Sequence, residues 1–384
     1  MQRRKSGAQS EPNLVGECVS GVYVAQTSPR SGRSKNFGGL LKMHDSETTE
    51  DMARLMRFSK WIYVTGAPRS GTSFVGRILS WPLEVDLIFE PTDPLVGMPG
   101  IDRRYLYLRP DTEDREEYAR LLARIFTYRF TYRTPAPAPG DGWLTSIRKR
   151  VIGPRGAFHL WLARLNPFHT CAVIKDPDGC LLTEYLYARY RVRPVVCVRH
   201  PTAFVASYLH HRFPWDLPEL AGQPALIEDY FGGDTSMFDV DPKDRVAGAA
   251  ALWAGLNRVL LDQCSRHPDW IVVVHEELCR APLANFRSLF ERLELPWSDR
   301  LERAIRQRTG THNKAEARSW QDHHRDSAAL FELRRGMLSQ QDREKVFAVT
   351  REVALRIYSE ESFGLSTKAR APAIAGAGSA ASGR

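Results

Sequence analysis

Four short, continuous runs of β-branched and aromatic residues constrain this chain more than anything else in it. They are residues 61–66 (WIYVTG), 170–174 (TCAVI), 194–198 (PVVCV) and 270–274 (WIVVV). Runs of this length without polar alternation suit strands covered on both faces, the setting of a parallel sheet. A further apolar run lies at 85–89. Helices are expected at about 73–81, 203–212, 245–267 and 282–293. Strands alternating with helices predict an α/β domain with a central, mainly parallel sheet flanked by helices.

The chain has 384 residues, 43% of them hydrophobic, enough for a well-buried core. Residues 1–57 are polar and without a sustained period, so a largely disordered segment is expected, with a strand-compatible VYVAQ at 22–26. Residues 58–366 are read as the folded domain, and 367–384 as a disordered small-residue tail. The stretches 97–165 and 212–244, rich in Pro, Arg and aromatics, read as insertions forming an acceptor-binding cap.

The net charge of +9 suits an anionic ligand, although arginines spread over the surface account for it equally well. No nucleic-acid partner is expected. The six cysteines form no CxxC pair and no zinc-type spacing, so no metal and a reducing compartment are expected. No window approaches the ~18 apolar residues of a membrane span, and no apolar stretch follows the basic start as in a secretory signal. A cytoplasmic protein is the expectation, with peripheral membrane contact left open.

Gly66-Ala67-Pro68-Arg69-Ser70-Gly71-Thr72-Ser73 lies between the first strand and its helix. Backbone N–H groups and the helix dipole make such a turn an anion cradle, and the glycines allow close approach. The spacing is that of a Walker loop, but Thr72 stands where nucleotide kinases carry Lys, which removes the main support for a triphosphate. The plain alternative is an ordinary strand–turn–helix connection. A second loop, Val198-Arg199-His200-Pro201, follows a later strand. Pro201 suits the first helical turn, and Ser207 falls about two turns along, at ~3.6 residues per turn. A strand-end Arg and a helical Ser placed so can converge on one small anion.

Pro68-Arg69-Ser70-Gly71-Thr72-Ser73-Phe74 resembles the 5′-phosphosulfate loop of sulfotransferases that use 3′-phosphoadenosine-5′-phosphosulfate (PAPS). Arg199 and Ser207 resemble that family's 3′-phosphate motif, an Arg followed by xPxxxxxxS. The resemblance covers about residues 59–325. It implies a P-loop-type three-layer fold, with Pro68, Arg69, Ser70, Gly71, Thr72 and Ser73 on the 5′-phosphosulfate and Arg199 and Ser207 on the 3′-phosphate. Cytosolic members usually have Lys where Arg69 stands; carbohydrate and many bacterial members have Arg. A weaker segment, Arg308 to Lys314, sits where the family has a basic loop over the 3′-phosphate and adenine. Arg308 and Lys314 are assigned to it, against the alternative of a plain surface loop. HEEL at 275–278 is read as architectural.

Transfer to a hydroxyl needs a base within hydrogen-bond reach. Glu90 in Phe89-Glu90-Pro91 is the first candidate, since it leaves a strand end and resembles the Phe-Glu-Pro of Golgi carbohydrate sulfotransferases; the alternative is a salt-bridged surface Glu. Lys175-Asp176-Pro177 is the rival site, where the resemblance implies Lys175 contacting the sulfonate or acceptor and Asp176 orienting it or acting as base; the alternative is a plain strand-end ion pair. His159 and His169 carry no recognisable motif. Arg69 would stabilise the leaving 5′-phosphate, with 3′-phosphoadenosine 5′-phosphate (PAP) as product.

The expected activity is therefore sulfuryl transfer from PAPS to a hydroxyl-bearing acceptor, a saccharide by the style of the motifs. Trp143, Trp161 and Trp215 are candidates for stacking on sugar rings. The rivals are a nucleotide or small-molecule kinase on the same fold and a non-catalytic protein that binds PAP or a polyanion.

Overall fold

The computed structural model describes residues 22–23, 58, 60–109, 115–134, 153–213, 216–310 and 337–365. In chain order its elements are β1 (Val22–Tyr23), β2 (Lys60–Thr65), α1 (Thr72–Leu79), β3 (Val85–Phe89), α2 (Arg115–Phe126), α3 (Arg155–Leu165), β4 (Cys171–Lys175), α4 (Thr183–Tyr190) and β5 (Arg193–Val198). They continue with α5 (Pro201–His211), α6 (Leu217–Ala221), α7 (Pro224–Phe231), α8 (Arg245–Arg266), β6 (Ile271–Val274), α9 (His275–Arg280), α10 (Pro282–Arg292), α11 (Asp299–Thr309) and α12 (Gln340–Ala354).

The strands form one sheet in the order β1-β6-β5-β2-β4-β3. β2, β3, β4, β5 and β6 run parallel, and β1 adds an antiparallel edge, Val22 opposite Val273. This is the parallel sheet expected from the apolar runs, and the VY of VYVAQ supplies the edge strand. Of residues 1–57 only these two are described, and the tail 367–384 lies outside the described residues.

Alternate residues of each strand serve different faces. Ile62, Val64, Val173, Val195, Cys197 and Val273 pack under α1, α10 and α11, with Val75, Ile78, Phe286, Leu289, Leu301 and Ile305. On the other face Trp61, Tyr63, Ile88, Ala172 and Ile174 meet Leu106, Leu108, Leu122, Ile125, Phe126 and Leu160. Beyond them on that face, Val196, Val198 and Val272 meet α5 and α8 through Phe204, Val205, Leu252 and Trp253. The result is three layers, helices on both sides of the sheet.

The two stretches expected to form a cap belong to the core as well. Residues 97–109, α2 with residues 127–132, and α3 cover the β2–β4–β3 half of one face, which would otherwise lie bare, and Leu217, Leu220, Leu226, Ile227 and Phe238 join the core beside α8. Both stretches are layers of the fold that also send side chains to the cavity. None of the helices among the described residues is long and apolar enough to cross a membrane.

Candidate active site

β2 has β4 on one side and β5 on the other, so chain direction across the sheet switches there. In open α/β sheets the crevice at the carboxyl ends of the strands beside such a switch receives ligands. Here it holds a cavity of about 1240 Å³, above the ~300–1,000 Å³ of typical single-ligand pockets. It has room for a nucleotide and a second molecule.

The loop after β2 forms its floor. Gly66 has φ +138°, and a Cβ there would lie 2.1 Å from the Cys197 carbonyl oxygen, so the loop crosses β5 at a distance only glycine permits. Arg69 is left-handed as well, at φ 73°. Gly71 precedes α1 with φ +91° and no side-chain cap, and the Phe74 and Val75 amides return to its carbonyl. The first amides of α1 therefore keep their donors for a ligand, as helix starts do. Pro68, Arg69, Gly71, Thr72 and Ser73 line the cavity. Ser70 does not; its hydroxyl is buried and makes no hydrogen bond.

The loop after β5 meets this one. Arg199 lines the cavity and donates to the Arg69 carbonyl at 3.0 Å, while Arg69 Nε donates to Ser207 Oγ at 3.3 Å. Residues 138 apart in sequence thus share one hydrogen-bonded cluster. Trp253 Nε1 holds the Arg199 carbonyl at 2.8 Å, and Glu276 accepts from the His200 amide at 2.9 Å, fixing the turn before Pro201. Ser207 is buried beneath Arg69, away from the cavity surface.

Glu90 and Lys175, at the ends of neighbouring strands, form an ion pair, and both line the cavity. The two rival sites are one site. Lys175 is only 2% exposed, its Nζ 4.6 Å from the Phe89 ring centroid. Glu90 is left-handed at φ 53°, a strain a non-glycine residue tolerates only when its surroundings impose it. Its amide donates to the Lys175 carbonyl at 2.7 Å, which imposes the turn.

Asp176 does not line the cavity, which corrects its assignment as orienting group or base. Its carboxylate is buried and accepts from the Thr92 amide and hydroxyl and from the Gly179 amide. It ties together the turns after β3 and β4. Burial pushes its pKa up to about 7, against the lowering effect of those hydrogen bonds.

Arg308 is not in the cavity either. It lies on α11, its guanidinium 4.6 Å from the Trp81 ring centroid and donating to the Ala304 carbonyl. The expected contact with the 3′-phosphate is corrected, because α11 runs on through Arg308 and carries it to the C-terminal side of α1. Lys314, Trp143 and Trp215 lie outside the described residues. Trp161 is 55% exposed on α3, stacks on Phe158 and does not reach the cavity. His159 stacks on Phe89, and His169 pairs with Asp86 at 3.2 Å.

Sequence reasoning missed several cavity residues. Arg104 bridges Asp178 at 3.0 Å and also Asp216, Arg133 pairs with Asp102, and Arg155 faces the Phe89 ring. None belongs to a motif; the folding of the two covering layers brings them in. His275, read as architectural, lines the cavity against Gly71, with Cys279 beside it at 3.6 Å from Nε2.

Fold and cavity together define an α/β protein with a parallel sheet between helical layers, with Arg69 and Arg199 after two strands and the Glu90–Lys175 pair in one cavity. No family model matches the chain, and no curated protein does. Solved structures do. It is similar to the sulfotransferase domain from the curacin biosynthetic pathway, at 14% identity over 63% of this chain and 76% of that one, TM-score 0.33. It is similar to the sulfotransferase domain from the Synechococcus PCC 7002 olefin synthase, at 14% identity over 77% and 95%, TM-score 0.36. It is similar to sulfotransferase STF9 from Mycobacterium avium, at 14% identity over 79% and 78%, TM-score 0.38.

Proposed function

We propose that this protein is a sulfotransferase that moves a sulfuryl group from PAPS to the hydroxyl of an acceptor, a saccharide in the finer reading. One observation carries the proposal: Arg69 and Arg199 converge from two separate strand–loop–helix units, with Ser207 holding Arg69 from beneath, at one end of a cavity whose other end holds the Glu90–Lys175 pair. Two anion stations beside a carboxylate fit a donor phosphorylated at both its 3′ and 5′ ends and an acceptor that must lose a proton. Thr72 at the position of the Walker lysine argues against a nucleoside triphosphate.

The chemistry divides among the chain's own groups. The uncapped amides at the start of α1 and the Arg69 guanidinium face the 5′-phosphate oxygen that leaves, where charge grows in the transition state. Arg199 faces the 3′-phosphate. Glu90 takes the acceptor's hydroxyl proton as that oxygen bonds to sulfur and the bond from sulfur to the 5′-phosphate oxygen breaks, releasing PAP. Lys175, beside Glu90, is the cation nearest the transferring group on the acceptor side.

Calorimetric titration with PAP, ATP and AMP at moderate salt tests the donor. Micromolar PAP binding with much weaker ATP and AMP binding is expected. A preference for ATP points to a kinase, and PAP binding without transfer of label from PAPS to any hydroxyl acceptor points to a binding protein; either result sinks the proposal.

A further inference from the structure

We propose that the acceptor is acidic: a carboxylate beside its reacting hydroxyl is held by Arg155, which lines the β3 end of the cavity. This rests on the sulfuryl-transfer reading, since it names the chemistry of that reaction's second substrate.

The order of strands separates the two ends. Along the carboxyl edge of the sheet stand Arg199 after β5, the glycine loop after β2, Lys175 at the end of β4 and Glu90 after β3. At ~4.8 Å per strand, β3 lies about 10 Å from β2 and about 14 Å from β5. The donor's anionic groups are served at the β5 and β2 positions, so a cation beyond β3 belongs to the acceptor.

Arg155 is that cation. It opens α3, which packs against β3 so closely that a Cβ on Gly156 would lie 2.7 Å from the Phe89 carbonyl oxygen. Its guanidinium lies 5.3 Å from the Phe89 ring centroid, in the wall of the cavity. The other cations of this wall have acid partners: Lys175 has Glu90, Arg104 has Asp178 and Asp216, and Arg133 has Asp102. Arg155 pairs with no carboxylate among the described residues, and neither does Arg77 on α1 behind it. Arg308 adds a third guanidinium over Trp81, just past the end of α1.

Cations crowded without a counter-charge leave a mark on their neighbours. Arg77 is held below its ordinary pKa by burial and then by the charges of Arg155 and Arg308. His159, one turn along α3 from Arg155, is pushed down to about 4 by burial and by Arg77 and Arg155. Among the described residues Arg155 has no carboxylate partner; a ligand carboxylate supplies one, and a planar guanidinium fork binds carboxylate in two-point fashion. The acid sits within reach of Phe89, whose ring Lys175 also faces, so a hydroxyl on the same molecule is presented to Glu90.

The test uses a matched pair, p-nitrophenyl β-D-glucuronide and p-nitrophenyl β-D-glucoside, which differ by one carboxylate. Each is titrated into the PAP-saturated full chain, as wild type and as Arg155→Gln. The wild type is expected to bind the glucuronide at least tenfold more tightly. The variant should cut that preference to under threefold while its PAP affinity stays within twofold. Equal binding of the two glycosides by the wild type, including no binding of either, overturns the inference, as does a preference that survives in Arg155→Gln. The two readings fail separately: wild-type protein that does not bind PAP overturns the donor assignment and this inference with it, whereas PAP binding without a glucuronide preference overturns the acidic acceptor alone.

Discussion

Lys175 and Glu90, 85 residues apart in sequence, meet in an ion pair at the ends of adjacent parallel strands, with the Phe89 ring under the ammonium. The pairing places a carboxylate and a buried cation side by side in the wall of the cavity. A carboxylate acting as base there predicts that Glu90→Gln lowers kcat by about 10²–10⁴-fold, the usual worth of a positioned base. PAP affinity should be unchanged within twofold. Full activity in this variant would remove Glu90 from the mechanism.

The same pair has a stability consequence. Lys175→Met leaves Glu90 without its partner, and breaking such a pair from one side is predicted to cost about 3 kcal/mol. The double variant Glu90→Gln/Lys175→Met should recover part of that loss. Urea unfolding of the wild type, both single variants and the double variant measures the coupling, and strictly additive effects would show that the two groups do not interact.

Arg199 lines the cavity next to Arg69 and is proposed to hold the donor's 3′-phosphate. Arg199→Ala is predicted to weaken PAP binding by about 1.5–3 kcal/mol, the range for a hydrogen bond to a charged group. Ser207→Ala should cost less, because Ser207 is buried under Arg69 and acts by positioning it. Calorimetry with PAP reads both, and an unchanged affinity in Arg199→Ala contradicts the 3′-phosphate assignment.

Gly66 is predicted to tolerate no side chain. Its φ of +138° and the 2.1 Å approach to the Cys197 carbonyl oxygen are both forbidden to alanine. Gly66→Ala should destabilise the fold by more than the ~1–3 kcal/mol of a strained backbone alone. A melting temperature equal to the wild type's would mean that the loop can move off β5.

Asp176 gives a pH signature. Its folded-state pKa is raised to about 7 from an ordinary 3.8, chiefly by burial. Between these values the folded state holds the proton and the unfolded state does not, so stability from this group is greatest below about pH 4 and is lost as pH rises toward 7. At ~1.36 kcal/mol per pKa unit the loss is on the order of 4 kcal/mol. Asp176→Asn removes the titration. Wild-type stability relative to the variant should therefore fall from pH 4.5 to pH 7.5, and a difference independent of pH would refute the shift.

Much of this arrangement was legible in the residues. Each apolar run became a strand within a residue or two of its expected bounds, because unbroken β-branched stretches have no other comfortable place than a sheet covered on both faces. Both loops announced themselves through local chemistry: glycines where the backbone turns left-handed, and a proline at the first turn of α5. Asp176 looked catalytic because it follows Lys175, but side chains alternate at a strand end, and one carboxylate turned inward to bind Thr92 and Gly179. Arg308 looked like part of a loop until α11 ran on through it.

The sequence by itself determined which segments are strands, where the glycine loop turns and which side chains stand at strand ends, since these follow from local periodicity and backbone freedom. Only the tertiary structure decided that β4 lies between β2 and β3, and so that Lys175 reaches Glu90 and Arg155 flanks them both. Strand order is set by long crossover connections and by the packing of 97–109, α2 with residues 127–132, and α3 on one face of the sheet, and such contacts between distant segments leave no mark on local sequence.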